Sequence, residues 1–260
     1  MRELSLLMVL AIGLTGWAGS AARADAAAEI APQHKLRVAL VGANPVLVTK
    51  KPDGSLGGVS VELGEYIAAK LGAAFEPVPY PSPGAYADSF GKGEWELAIG
   101  PRTPVVEQHC EISPDFMLVD NIYVAAPGKQ FADASQVDRP GVRIAVATNG
   151  APDQYLSKTL KSAELVRLDG EAAILAALRS GAADVYGSNA ENVHAAADKI
   201  ACAKILPGAF RTVHMAVAMP KGRSPAAQEK LTELVNEAKA GGLVKKALDD
   251  QRSKGVRPAP

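Results

Sequence analysis

Apolar positions along this chain follow two periods in turn, and their alternation predicts an architecture. Leu36, Val38 and Leu40 recur at every second residue, as in a half-buried strand, and the run stops at Gly42-Ala43-Asn44-Pro45. After a tight Asp53-Gly54 turn, Val59, Leu63, Ile67 and Leu71 recur at four-residue spacing up to Gly72, which predicts a core-facing helix closed by glycine. Residues 75–79 predict a second strand that opens into Tyr80-Pro81-Ser82-Pro83-Gly84. A short helix follows to Phe90, and residues 95–99 predict a third strand, ending in Gly100-Pro101-Arg102-Thr103. Three strands that open into loops at one edge make an α/β lobe.

The same order returns further on without an internal sequence repeat. Val142, Ile144 and Val146 alternate as far as Thr148-Asn149-Gly150-Ala151-Pro152, and helical spacing follows through Tyr155, Leu156 and Leu160. Residues 165–168 predict a strand, 171–180 a helix closed by Gly181, and 184–187 a strand ending at Ser188-Asn189. Two extended apolar stretches, 123–126 and 213–219, would carry the chain out to this second lobe and back, forming a two-strand hinge. Ser224-Pro225 opens a helix with Ala227, Leu231, Leu234, Val235 and Ala238 on one face. Gly241-Gly242 breaks it before a last helix carrying Leu243, Val244, Ala247 and Leu248, and residues 251–260 read as a frayed end.

The expected division is therefore a signal peptide at 1–24, a loose leader at 25–34, lobe 1 from 35–124 with 217–260, and lobe 2 from 125–216. The first segment carries Arg2, an uncharged apolar run and an Ala22-Arg23-Ala24 cleavage pattern, which points to export and the periplasm. Lys+Arg and Asp+Glu balance at 28 each, which argues against a nucleic-acid footprint. Aromatic residues at 5% disfavour a carbohydrate groove, and His34, His109, His194 and His214 make no ligand-spaced pair, so neither metal nor cofactor is expected. Cys110 and Cys202 pair or stay free; their spacing decides neither.

The chemistry concentrates at strand ends. Arg102 follows the third strand at once, where a guanidinium can clamp a carboxylate, although a surface Arg in a turn is the plainer alternative. Gly100 and Thr103 flank it, and Asn44 and Tyr80 lie on neighbouring loops, as ligand contacts or as turn and packing residues. In the second lobe, Asn149, Gly150 and Ala151 precede a helix whose first amides suit an anion, and Ser188 and Asn189 end a strand at the same edge. His214 reads as a hinge or core residue, and Glu96 and Asp184 as structural.

Leu36-Arg37-Val38-Ala39, Gly57-Gly58-Val59-Ser60-Val61-Glu62-Leu63, Gly93-Glu94-Trp95-Glu96-Leu97, Gly181-Ala182-Ala183-Asp184 and Pro220-Lys221-Gly222, in this order, resemble the extracellular solute-binding proteins of family 3. These are best known as periplasmic amino-acid receptors of ABC transporters. The resemblance implies a type II periplasmic-binding-protein fold, α/β, with two lobes joined by two hinge strands. It also implies a monomer that captures a small molecule, performs no catalysis, and delivers its cargo to an inner-membrane permease. A sensor partner or a dehydratase-like cleft enzyme are the alternatives. The family's carboxylate-clamping Arg, three residues after the loop Thr, is here Val106, and its ammonium-accepting acid falls at about Ser188 or Asn189. Losing both charged anchors favours a small organic anion or a modified amino acid, because an unpaired ligand charge is costly to bury. Alternatively, Arg102 and Asp120 re-create an amino-acid site in a shifted frame.

Overall fold

The computed structural model describes residues 26–42, 47–148, 150–251 and 254–260; the expected signal peptide, Asn44 and Asn149 lie outside the described residues. The first lobe is built on β1 (Lys35–Val41), β4 (Ala74–Tyr80) and β5 (Leu97–Pro101), with β1 parallel to both neighbours. The second uses β8 (Arg143–Ala147), β9 (Glu164–Leu168) and β10 (Val185–Asn189), with β8 parallel to both neighbours. In each lobe the first strand lies between the second and the third, so every strand ends at the same edge. Such parallel strands need crossover connections. In lobe 1 these run through α2 (Val59–Lys70) and α3 (Pro83–Asp88); in lobe 2 they run through α5 (Ala151–Thr159) and α6 (Glu171–Ser180). Pro77 and Pro79 lie in β4, an edge strand, where a missing N–H does least harm. The short hairpin β2 (Thr49–Lys50) and β3 (Leu56–Gly57) forms around the predicted Asp53-Gly54 turn.

Two longer strands join the lobes. β7 (Met117–Ala125) and β12 (Arg211–Pro220) pair antiparallel, with Met117 opposite Met215 and Asn121 opposite Arg211. Beyond the overlap they diverge, β12 running on beside β5 and β7 beside β10, which makes one continuous strand path through both lobes. Core membership changes with them. Val119 and Val213 pack with the first lobe, whereas Ile122 and Phe210 pack with the second. Short β6 (Cys110–Ile112) and β11 (Lys204–Ile205) attach to β12 and β7. Cys110 is buried in the first lobe, Cys202 is exposed, and both are free thiols.

Two stretches expected to be loose, residues 26–34 of the leader and 254–260 of the tail, are built into the first lobe. Residues 26–30 form α1, and Ile30 and Ala31 are buried in the first lobe's core. There Glu29 accepts from the backbone N–H and the hydroxyl of Ser224, the cap of α8 (Pro225–Ala240). After α9 (Leu243–Gln251), the expected frayed end instead adds β13 (Val256–Pro258) alongside β7. The strand has too few apolar residues to announce itself; register with β7 and an Arg257–Asp120 ion pair hold it. Just before it, Gly255, at φ +68°, abuts Ala190, the first residue of α7 (Ala190–Lys199), where a Cβ would overlap.

Candidate functional site

The carboxyl ends of β5, β8 and β10 and the overlap of β7 with β12 frame the candidate cleft, the edge where open α/β sheets take ligands. Arg102 leaves β5 with its N–H donated to the His214 carbonyl at 2.8 Å, so the strand ends pinned against the hinge. Thr103 then caps the six-residue helix α4 (Pro104–His109), its hydroxyl accepting from the Val106 N–H at 3.4 Å, with Pro104 in the first turn. Val106 is 4% exposed and belongs to the lobe's core, so the position where the resemblance places a cation is filled by packing. From the next turn Glu107 reaches back, and Arg102 Nε donates to its carboxylate at 2.8 Å.

Gly100 and Tyr80 meet through Tyr86. The Tyr86 ring packs edge-on to Tyr80 with centroids 6.2 Å apart, and its hydroxyl lies 2.8 Å from where a Cβ on Gly100 would stand, closer than a Cβ tolerates. Only glycine lets the strand pass beneath that ring. Tyr80 donates to Glu94 at 2.6 Å, and burial, reinforced by that carboxylate, pushes its phenol above the ordinary range.

In the second lobe Gly150 caps α5 and Ala151 is its exposed first residue. The buried Asp153 in the same turn places a carboxylate near the helix's positive end and pairs with Arg167 at 3.0 Å, while Ser157 donates to it. Ser188 is buried and accepts from the side-chain amide of Asn192 at 3.3 Å. Asn189 caps α7, accepting from the Asn192 N–H at 2.9 Å. Asp120 accepts from the Thr212 hydroxyl at 2.8 Å and pairs with Arg257. Consecutive strand residues face opposite ways, so Asp120 shares a face with Thr212, and Asn121 shares the other with Arg211.

One cavity of about 310 Å³ lies at the hinge and is lined by Arg102, Glu107, Arg211, Thr212, Val213 and His214. Of the predicted residues it gathers Arg102 alone. Arg211, Glu107 and His214 were not singled out as ligand groups. A cation opening the returning strand was the visible sign of Arg211, but its setting is not local: its guanidinium carbon lies 4.9 Å from the ring centroid of Tyr155 on α5. His214 Nδ1 is 2.6 Å from Asp115 Oδ2. A larger cavity of about 510 Å³ lies between β6 and α8, is lined by Glu111, Gln228 and Thr232 among others, and contains none of the predicted residues. The hinge cavity is the better candidate because it lies where strand ends and crossing strands meet. Among the described residues, no group of three or more His, Cys, Asp or Glu side chains is placed to hold a metal ion.

No family model and no curated protein matches the chain. Solved structures do. An ancestral cationic amino-acid solute-binding protein is 18% identical with a TM-score of 0.66, over 86% of this chain and 98% of that one. A solute receptor for L-cysteine from Neisseria gonorrhoeae is 18% identical with a TM-score of 0.63, over 90% and 99%. An ancestral cyclohexadienyl dehydratase is 20% identical with a TM-score of 0.54, over 84% and 92%. Across nearly whole chains, the architecture is that of the two-lobed α/β type II periplasmic-binding-protein fold.

Proposed function

We propose that the chain is a periplasmic solute-binding protein that captures a small polar or anionic solute bearing a carboxylate, a modified amino acid included, and delivers it to an ABC permease. The observation that carries this reading is the cavity at the crossing of β7 and β12, where Arg102 and Arg211 bring two guanidinium groups to the hinge. A guanidinium offers a carboxylate two parallel charge-assisted hydrogen bonds, each contributing about 1.5–3 kcal/mol. Gly150 and Ala151 at the start of α5, with Ser188 and Asn189 at the end of β10, supply the second lobe's side of the cleft. Tyr80, Gly100 and Thr103 supply the first lobe's side; Asn44 of the first lobe and Asn149 of the second, both outside the described residues, are further candidates from the sequence. Small φ/ψ changes in two paired strands swing one rigid lobe over the other, and the closed form is what a permease reads.

The test is a thermal-shift screen of the mature protein, unfolded and refolded to strip carried-over solute, against amino acids, hydroxy acids, dicarboxylates and aromatic acids. A true ligand at about 100 times its dissociation constant stabilises the fold by about 2.7 kcal/mol, a rise of several degrees. A carboxylate that raises the melting temperature and is recovered unchanged is the expected result. Stabilisation by uncharged solutes alone, or turnover of a bound acid, overturns the reading.

A further inference from the structure

Within the hinge cavity the two arginines are not equivalent. Arg102 is ion-paired with Glu107, and both side chains are about half exposed, at 48% and 50%. Arg211 is half-buried, its guanidinium lies over the Tyr155 ring, and that side chain has no hydrogen-bond or carboxylate partner among the described residues. A guanidinium carries five N–H donors, and with the Tyr155 ring on one side and no described partner for them they are open to an oxyanion. Strand register extends the argument. Arg211 lies opposite Asn121, and Asn121 lies opposite Asn189 on its other side, so the three stand in one row across β12, β7 and β10. Directly opposed residues share a face, so buried Asn121 and the helix-capping Asn189 stand on Arg211's side of the sheet, in a row about 10 Å across two strand spacings.

Charge then limits the solute. Arg102 and Glu107 cancel, and the His214–Asp115 pair adds no positive charge whether or not the imidazole is protonated. Arg211 remains as one uncompensated cation, while Glu107 lines the same cavity as an acceptor. We infer that Arg211, rather than Arg102, is the principal carboxylate anchor, and that the site takes a monocarboxylate whose far end donates a hydrogen bond, as a hydroxyl or ammonium does. A second carboxylate would meet Glu107. This inference rests on the cleft's being the solute site.

Isothermal titration of the refolded full chain with lactate, 2-hydroxybutyrate, alanine, benzoate, succinate and malate tests it. At least one hydroxyl- or ammonium-bearing monocarboxylate is expected to bind tighter than either dicarboxylate. Arg211→Ala is expected to weaken it at least 100-fold, and Arg102→Ala less than tenfold. Arg211→Lys keeps the charge and the stem but not the fork, so a loss of at least tenfold is expected even if the alanine variant fails to fold. Glu107→Gln, which adds one net positive charge, is expected to improve succinate and malate binding. If a monocarboxylate binds and both Arg211 variants retain affinity within a few-fold, the assignment falls while the capture function stands. Tighter wild-type binding of a dicarboxylate or of benzoate also overturns it, as does binding of none of the six acids; the capture reading falls only if the wider thermal-shift screen finds no carboxylate ligand either.

Discussion

At the edge opposite the cleft the two lobes carry the same clasp. In the first, the Arg37 N–H donates to Glu96 at 2.8 Å and its guanidinium to the same carboxylate, while the Glu96 N–H donates back to the Arg37 carbonyl at 3.0 Å. In the second, the Arg143 N–H donates to Asp184 at 2.8 Å, the guanidinium grips that carboxylate, and the Asp184 N–H returns to the Arg143 carbonyl at 2.8 Å. Each acid follows a left-handed glycine by three residues, Gly93 and Gly181, whose carbonyls accept from the same guanidinium groups. So a short repeat does exist, in the form Gly-x-x-acid with a distant Arg, and it fixes the first strand against the third. The difference is Lys129, which comes from the segment just beyond β7 and reaches Asp184 at 2.7 Å. The second lobe's clasp thus also fastens the outgoing chain.

That difference ranks two substitutions. Asp184→Ala strands two cations and a backbone N–H, whereas Glu96→Ala strands one cation and one N–H. Breaking a buried pair costs about 3–5 kcal/mol, and half-exposed cations recover part of that from water. Asp184→Ala is therefore expected to cost about 3 kcal/mol and Glu96→Ala about 2 kcal/mol, read from urea midpoints at a constant slope. An equal or larger loss for Glu96→Ala would remove the role given to Lys129.

The same contrast appears in acid. Burial alone would raise the Asp184 carboxyl, but hydrogen bonds from Arg143 and Lys129 outweigh it and hold the pKa at about 2, below its ordinary 3.8. A folded-state value below the unfolded one contributes stability that is complete above the unfolded pKa and is lost as pH falls through the folded pKa. Between about pH 5 and pH 2 the protein should lose about 2 kcal/mol through this group. Asp184→Asn should flatten that part of the stability curve, and an unchanged slope would show that the acid loss arises elsewhere.

Much of this framework was written in the sequence. Gly72 and Gly181 stop α2 and α6, both left-handed as a glycine stop requires, and Ser224-Pro225 opens α8 as expected. Arg102 was visible because a strand, a Gly-Pro break and a cation are consecutive. What was hidden depends on partners far along the chain. Asp120 looked available until Arg257 came beside it from the tail, and residues 26–31 and 256–258 gain order only from the surfaces they cover. Helix α7 escaped because its buried Val193 and Ala196 are diluted by small and polar residues.

Two caps sharpen the comparison at its finest scale, because one belongs to a scaffold helix and the other lies in the proposed ligand row. Ser224 accepts from the Ala227 N–H at 3.2 Å in the first lobe, and Asn189 from the Asn192 N–H at 2.9 Å in the second. Losing a side-chain cap costs about 1 kcal/mol, so Asn189→Ala should lower stability by about that much and Ser224→Ala by more, because its hydroxyl also donates to Glu29. They should part in binding. Ser224 is held by Glu29 at the first lobe's outer helices, and its loss should leave solute affinity within twofold. Asn189 ends β10 in register with Asn121 and Arg211, so its loss should weaken the solute several-fold beyond any effect on folding. Titrating both variants under conditions where each is fully folded separates the two roles. Equal affinities would reduce Asn189 to a helix cap and leave Arg211 to hold its end of the cleft without it.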